Sequence, residues 1–118
     1  MHTAKWSAVE GKPVTDPGAK GVTIRVLMGQ NVGAPNFTMR QFDIAPGGHT
    51  PLHSHPWEHE VYVLSGKGIA RRKNGQSEVG PGFFVYVPPG EEHNFANAGD
   101  LPFTFLCVIP AANPCLGR

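Results

Sequence analysis

Apolar residues in this chain recur in short runs separated by turn-forming residues, and this pattern predicts an all-β protein. The runs are rich in Val, Ile, Phe, Tyr and Thr, and no segment keeps the 3.6-residue apolar period of an amphipathic helix. About eight strands are predicted, at Thr23–Met28, Asn36–Ile44, Glu60–Leu64, Gly68–Arg72, Gln76–Val79, Phe83–Val87, His93–Ala96 and Pro102–Ile109. Strands this short, at a spacing of about ten residues, favour a β-sandwich or barrel.

Turn signals divide the runs, because fifteen glycines and twelve prolines fall mostly between them. Asn74-Gly75 is the clearest hairpin signal, since both central residues of that tight turn need positive φ. Pro46-Gly47-Gly48 is predicted to be another turn. Residues 1–20 are rich in Pro and Gly and are interpreted as an N-terminal arm, and residues 21–118 as the β-barrel.

Length and charge narrow the classes of function. A chain of 118 residues fits one domain, and a net charge of +1 leaves no electrostatic footprint for nucleic acid. The polar N-terminal sequence has no apolar run of membrane-spanning length, so we expect a cytoplasmic protein without a membrane partner. The two cysteines, Cys107 and Cys115, match neither a disulfide framework nor zinc-finger spacing.

Histidines are concentrated before one predicted strand. His53 and His55, two residues apart, share a face if their segment is extended, and His59 opens the next extended run in the same parity as the apolar Val61. Glu60 has the opposite parity, although a bend at Pro56 weakens this distinction. A fourth imidazole, His93, follows the rigid turn Pro88-Pro89-Gly90. Neutral imidazoles that converge from several strands suit a divalent metal.

The first histidine segment resembles the first motif of the cupin superfamily. That motif runs Gly, five residues, His-x-His, three or four residues, Glu, six residues, Gly. This chain has the same intervals, with histidine in place of the glutamate, at Gly47, His53, His55, His59 and Gly66.

The second motif of the same superfamily also has a counterpart. It runs Gly, five residues, Pro-x-Gly, two residues, His, three residues, Asn, and it is matched by Gly82, Pro88, Gly90, His93 and Asn97. The resemblance implies a single-domain double-stranded β-helix, or jelly-roll barrel.

The resemblance also implies a ligand set. With histidine at position 59 the chain is similar to small cupins that hold manganese with four histidines, here His53, His55, His59 and His93. Mn²⁺ is therefore favoured, with Fe²⁺, Zn²⁺, Ni²⁺ or Cu²⁺ as alternatives. Four protein ligands on an octahedral ion leave two positions for water, substrate or oxygen.

Three further residues are candidates for the pocket, and each has a structural alternative. Alternation places Phe105 and Cys107 on one face of the last strand, where they either line an apolar cavity near the metal or pack as ordinary core. Arg40 either holds an anionic substrate group or forms an edge salt bridge. Trp57, between the ligands, is either a lid or an anchor for its loop.

The leading functional hypothesis is a metal-dependent, dioxygenase-like oxidoreductase that acts on a small aromatic or unsaturated substrate. The alternatives are metal-dependent isomerase or lyase chemistry without redox change, and a non-catalytic protein that binds metal or a small molecule. Fold alone does not decide among them. A homodimer is expected, because small open sheets need their edges covered and the N-terminal arm could pair with a neighbour.

Overall fold

The computed structural model describes residues 1–111, and β-strands form almost all of its regular structure. Two single turns of 3-10 helix occur among these residues, at Trp6–Ala8 and Gln30–Val32. The strands are β1 (Lys12–Pro13), β2 (Lys20–Met28), β3 (Phe37–His49), β4 (His59–Ser65), β5 (Gly68–Arg72), β6 (Gly75–Val79), β7 (Phe84–Val87), β8 (His93–Asn97) and β9 (Phe103–Pro110). Cys115 and the last residues assigned to the barrel lie outside the described range. No helix within residues 1–111 is long and apolar enough to cross a bilayer.

The strands form one antiparallel sheet that curls into a barrel. Its path runs β6-β5-β8-β3-β9-β4-β7, with β2 on β3 and β1 on β2. Strand β3 organises the sheet, because it pairs with β2 and β9 along most of its length and with β8 at its last residue, His49. The predicted all-β barrel fold is confirmed.

The core fills the inside of this barrel by strict alternation. Along β9 every second residue is buried, and the buried set is Phe103, Phe105, Cys107 and Ile109. Val61 and Val63 of β4 alternate in the same way. Burial of side chains of this size contributes about 1.5–3 kcal/mol each, so the inward face of these strands provides much of the stability that holds the site in place.

One predicted turn is wrong, because Pro46-Gly47-Gly48 lies inside β3. The register against β2 shows why: Ile44 faces Val22 and His49 faces Lys20, so β3 has extra residues between two closely spaced partners. The excess bulges outward, with Gly47 at φ +79°, and the ladder resumes at His49. Glycine and proline here mark a β-bulge and not a chain reversal.

The N-terminal segment lies against its own barrel. Lys12 and Pro13 pair with Ile24 and Thr23 of β2, and the Val14 amide donates a 2.9 Å hydrogen bond to the Val22 carbonyl. This short strand β1 has no signal in the sequence. Its position brings residues 12–16 over one end of the barrel.

Candidate metal centre

His59 and Glu60, the two rival ligands in the sequence, point to opposite sides of β4. His59 is buried with 6% of its surface exposed, whereas Glu60 is exposed on the outside of the barrel. The alternation of β4 therefore places the imidazole inside, as parity predicts, and keeps the carboxylate away from it.

Backbone pairing fixes the other histidine segments. His53 and His93 exchange two amide-to-carbonyl hydrogen bonds, of 3.1 and 2.9 Å, in an isolated antiparallel bridge. The amide of Gly90 donates to the carbonyl of His55 at 2.6 Å, and Gly90 has φ +81°, a conformation that a side chain would strain. The turn before β8 is thus attached directly to the first histidine segment, and distant parts of the sequence meet at one point.

The four rings form a single cluster. The centroid of His53 lies 4.2 Å from that of His55 and 5.1 Å from that of His93. The His59 centroid lies 5.3 Å from His55 and 5.0 Å from His93. The structure therefore brings together all four histidines that the sequence nominated.

Hydrogen bonds to Nδ1 determine which nitrogen of a ring is left for a ligand in the cavity. Nδ1 of His53 lies 2.5 Å from the Pro51 carbonyl, and Nδ1 of His93 lies 2.9 Å from the Glu91 carbonyl. A carbonyl only accepts, so Nδ1 carries the proton in each neutral ring and Nε2 keeps its lone pair. Two of the rings are thereby oriented as metal-ligating histidines usually are.

In the His59 ring, too, Nδ1 contacts a neighbouring group and Nε2 is left for a ligand. Nδ1 of His59 lies 3.3 Å from the Cys107 sulfur, and its Nε2 is buried with no hydrogen-bond partner among the described residues. An orphaned, buried lone pair costs free energy unless a ligand uses it. The donor set therefore fits a divalent metal, although no three His, Cys, Asp or Glu side chains within residues 1–111 already stand in a conformation that would hold one. Coordination requires the rings to rotate toward a common centre.

Burial and neighbouring charges favour the neutral form of two of the rings, His59 and His93. Burial, followed by repulsion from His93 and Arg40, lowers the pKa of His59 from 6.5 to about 3. Burial also lowers the pKa of His93. Since only a neutral imidazole binds a metal, these two shifts keep His59 and His93 in the protonation state that ligates at neutral pH.

The histidine cluster lines a cavity of about 470 Å³, a size typical of small-molecule sites. Its wall includes all three pocket candidates, Arg40, Phe105 and Cys107. Trp57 also lines it, stacks on His55 at 4.2 Å and packs against the core. Trp57 thus contacts both the cavity and the barrel.

Sequence reasoning missed part of the wall. Phe42, Phe95 and Thr50 line the cavity from inside, and residues 12–16 of the N-terminal segment line its rim. Alternation along β3 and β8 could have identified the two phenylalanines. The rim residues carry no such signal, because their place depends on the pairing of β1 with β2.

Comparison with known proteins agrees with this architecture. The sequence profile of the cupin domain matches residues 40–109. The polyketide cyclase RemF from Streptomyces resistomycificus is 37% identical, with a TM-score of 0.89 over 97% of this chain and 82% of its own.

Two enzymes with curated names are also similar. The 1-methylthio-D-xylulose 5-phosphate methylsulfurylase of Rhodospirillum rubrum is 31% identical over 110 residues, which are 91% of this chain and 69% of that enzyme. A glucose-6-phosphate isomerase of Thermococcus kodakarensis is 40% identical over 66 residues, 51% of this chain and 35% of the isomerase. Together with the curled sheet and the two histidine-bearing segments, these matches show that the chain belongs to the cupin family.

Proposed function

We propose that this protein is a metal-dependent enzyme that rearranges a small carbonyl compound without net redox change, by isomerisation or ring closure. The observation that carries the proposal is the opening of the four-histidine cluster into a cavity of about 470 Å³ with a largely apolar wall. The relatives add support, because a cyclase and an isomerase are among them.

His53, His55, His59 and His93 are the residues that would hold the metal. Mn²⁺ is the first choice from the resemblance, followed by Fe²⁺, with Zn²⁺, Ni²⁺ and Cu²⁺ as alternatives. Because four imidazoles bring no negative charge, a bound divalent ion supplies a strong Lewis acid that polarises a carbonyl oxygen.

The apolar wall provides the surface that positions the substrate. Phe95 and Phe105 stack edge to face at 5.0 Å, and Phe42 meets Phe105 in the same way at 5.2 Å. Rings locked against one another in this manner form a rigid surface for the apolar part of a ligand.

Proton transfer falls to a small set of groups in the cavity. The lining side chains that can donate or accept a proton, apart from the histidines, include Thr50, Cys107 and Asp16. Glu60 and Tyr86, which could also exchange protons, are exposed on the outer face of the barrel and do not line the cavity. Of the lining groups, we assign Cys107 to the proton-transfer role, because its sulfur lies beside the His59 ring.

The test is turnover in the absence of oxygen. Protein loaded with Mn²⁺ or Fe²⁺ is incubated anaerobically in D₂O with fructose 6-phosphate or 3,5-dioxohexanoate, and proton NMR follows new products and deuterium uptake next to the carbonyl. We expect metal-dependent exchange or product that His59→Ala abolishes and Glu60→Ala leaves unchanged.

Two outcomes would contradict the proposal and favour the other hypotheses. Consumption of oxygen in proportion to product would favour the dioxygenase-like oxidoreductase. Full metal loading without exchange or turnover on either probe would favour a non-catalytic binding protein.

A further inference from the structure

Two arginines on neighbouring strands, Arg25 of β2 and Arg40 of β3, have very different surroundings. Arg25 of β2 forms an ion pair with Asp43 at 2.6 Å. Among residues 1–111, Arg40 of β3 has no carboxylate partner, and its guanidinium has one hydrogen-bond partner, the Cys107 sulfur at 3.1 Å. Its Nε is shielded from solvent and has no acceptor in the part of the chain that the structure describes. A partly buried cation with so few acceptors is costly unless a ligand completes its hydrogen bonds.

The position of Arg40 is held by its neighbours on the inner face. It faces Cys107 across the β3–β9 ladder, and its guanidinium lies 4.9 Å from the centre of the Phe42 ring. Stacking on an aromatic face fixes the plane of the guanidinium and leaves its edge available to acceptors. The group is therefore held in one orientation before any ligand arrives.

The charge around the cavity also favours an anion. Lys12 and Arg40 line the wall against one carboxylate, Asp16, and Asp16 belongs to the rim segment. The histidines contribute no negative charge. An anionic ligand is thus attracted inward. Arg40 lies close to the histidine cluster, because its Nη2 and Nδ1 of His59 contact the same Cys107 sulfur, at 3.1 and 3.3 Å.

We propose that Arg40 anchors an oxyanion of the substrate, a carboxylate or a phosphate, while the apolar body of the same molecule packs on Phe42, Phe95 and Phe105. This deepens the proposed function, on which it rests for the statement that the ligand is a substrate. It names the substrate class: a small organic acid whose acidic group binds Arg40 and whose carbonyl is directed toward His59.

Binding can be tested without turnover. The full chain, freed of metal and kept at about pH 8, is titrated calorimetrically with benzoate, phenyl phosphate and the neutral benzamide. A charge-assisted pair of hydrogen bonds predicts that one or both anions bind about 10- to 100-fold more tightly than benzamide. Benzoate against phenyl phosphate distinguishes a carboxylate site from a phosphate site.

Variants separate Arg40 from the general charge of the protein. Arg40→Met keeps an unbranched side chain that can pack on Phe42 but removes the charge and the N–H donors, and we expect it to bring the anion-to-benzamide ratio close to one. Arg40→Lys keeps the charge but loses the planar pair of N–H donors of the guanidinium, and we expect an intermediate anion-to-benzamide ratio. Arg71→Met, at an exposed position on β5, serves as the matched control and should leave the ratio unchanged.

Equal affinities for benzoate, phenyl phosphate and benzamide in the wild type would overturn the inference, and this arm needs no variant to fold. A group of the protein itself would then neutralise the charge of Arg40. If Cys107→Ser bound the anions more tightly than benzamide, that group would be identified as the Cys107 thiolate. Discrimination that persists in Arg40→Met would also overturn it. Tighter binding of the anions than of benzamide, together with no turnover, would contradict the proposed function but would support the anion site at Arg40.

Discussion

Acid should destabilise the metal-free protein through His59. In the folded state the pKa of this ring is lowered to about 3, mainly by burial, whereas the unfolded chain has the ordinary value of 6.5. As the pH falls through 6.5, the unfolded chain takes up a proton that the folded protein does not. The stability contributed by the neutral ring is therefore complete above about pH 6.5 and is lost progressively toward pH 3.

The size of the effect follows from the same two values. Between them the full slope is about 1.4 kcal/mol per pH unit, so lowering the pH from 6.5 to 5 could cost up to about 2 kcal/mol. The ring borders a cavity that solvent can enter, and screening there reduces the effect to about 1 kcal/mol. The lowered pKa of His93 acts in the same direction.

The assay is urea unfolding of metal-free protein at about pH 7.5 and about pH 5, followed by circular dichroism. We expect the wild type to lose about 1 kcal/mol more than His59→Gln, which keeps a polar side chain but cannot titrate. His2→Gln, at the exposed N-terminus, is the control and should behave as the wild type. If wild type and His59→Gln lost stability in parallel, the assignment of a buried neutral ring at position 59 would be wrong.

Three other predictions concern the metal, the core and assembly. His59→Ala should weaken Mn²⁺ binding by more than about 100-fold in calorimetry, because removing a metal ligand costs more affinity than removing a group that hydrogen-bonds to a ligand. Glu60→Ala should change the affinity by less than about twofold. Similar losses in the two variants would contradict the assignment of His59 to the inside and Glu60 to the outside of the barrel. Gly68→Ala should lower the free energy of unfolding by about 1–3 kcal/mol, since a Cβ there would overlap the fully buried Phe103 ring; an unchanged urea midpoint would refute this. Light scattering of the wild type should give twice the chain mass. Phe84→Glu should shift the mass toward that of the monomer, because Phe84 is 81% exposed beside other aromatic residues on the outer face. A monomeric wild type would exclude the homodimer.

Alternation and turn signals predict the strands other than β1, and alternation predicts the inner face of the site. A period of two fixes which side chains share a face, so the amino-acid sequence by itself separates His59 from Glu60 and groups Cys107 with Phe105. The two spaced motifs supply the long-range partner, His93. These features are local or follow fixed intervals, and each is visible in a single sequence.

Features that depend on pairing between distant segments are not predictable in this way. The bulge in β3 looks like a turn, because Pro46-Gly47-Gly48 has the same local chemistry in both cases, and only the partner strand β2 decides. The carbonyls that orient His53 and His93 belong to Pro51 and Glu91, and backbone groups leave no residue-type signature. That Arg40 meets no carboxylate within residues 1–111 is likewise a property of the folded neighbourhood.

The rim built by residues 12–16 gives this molecule two independently variable parts. Those residues are attached to the barrel through two paired residues on β2 and a hydrogen bond from Val14, and they share no strand with the histidines. Exchanging the rim can therefore change which molecules are admitted while the reactive end of the cavity is preserved. Grafting this segment from one homologue to another offers a direct route to new substrate preferences on an unchanged barrel.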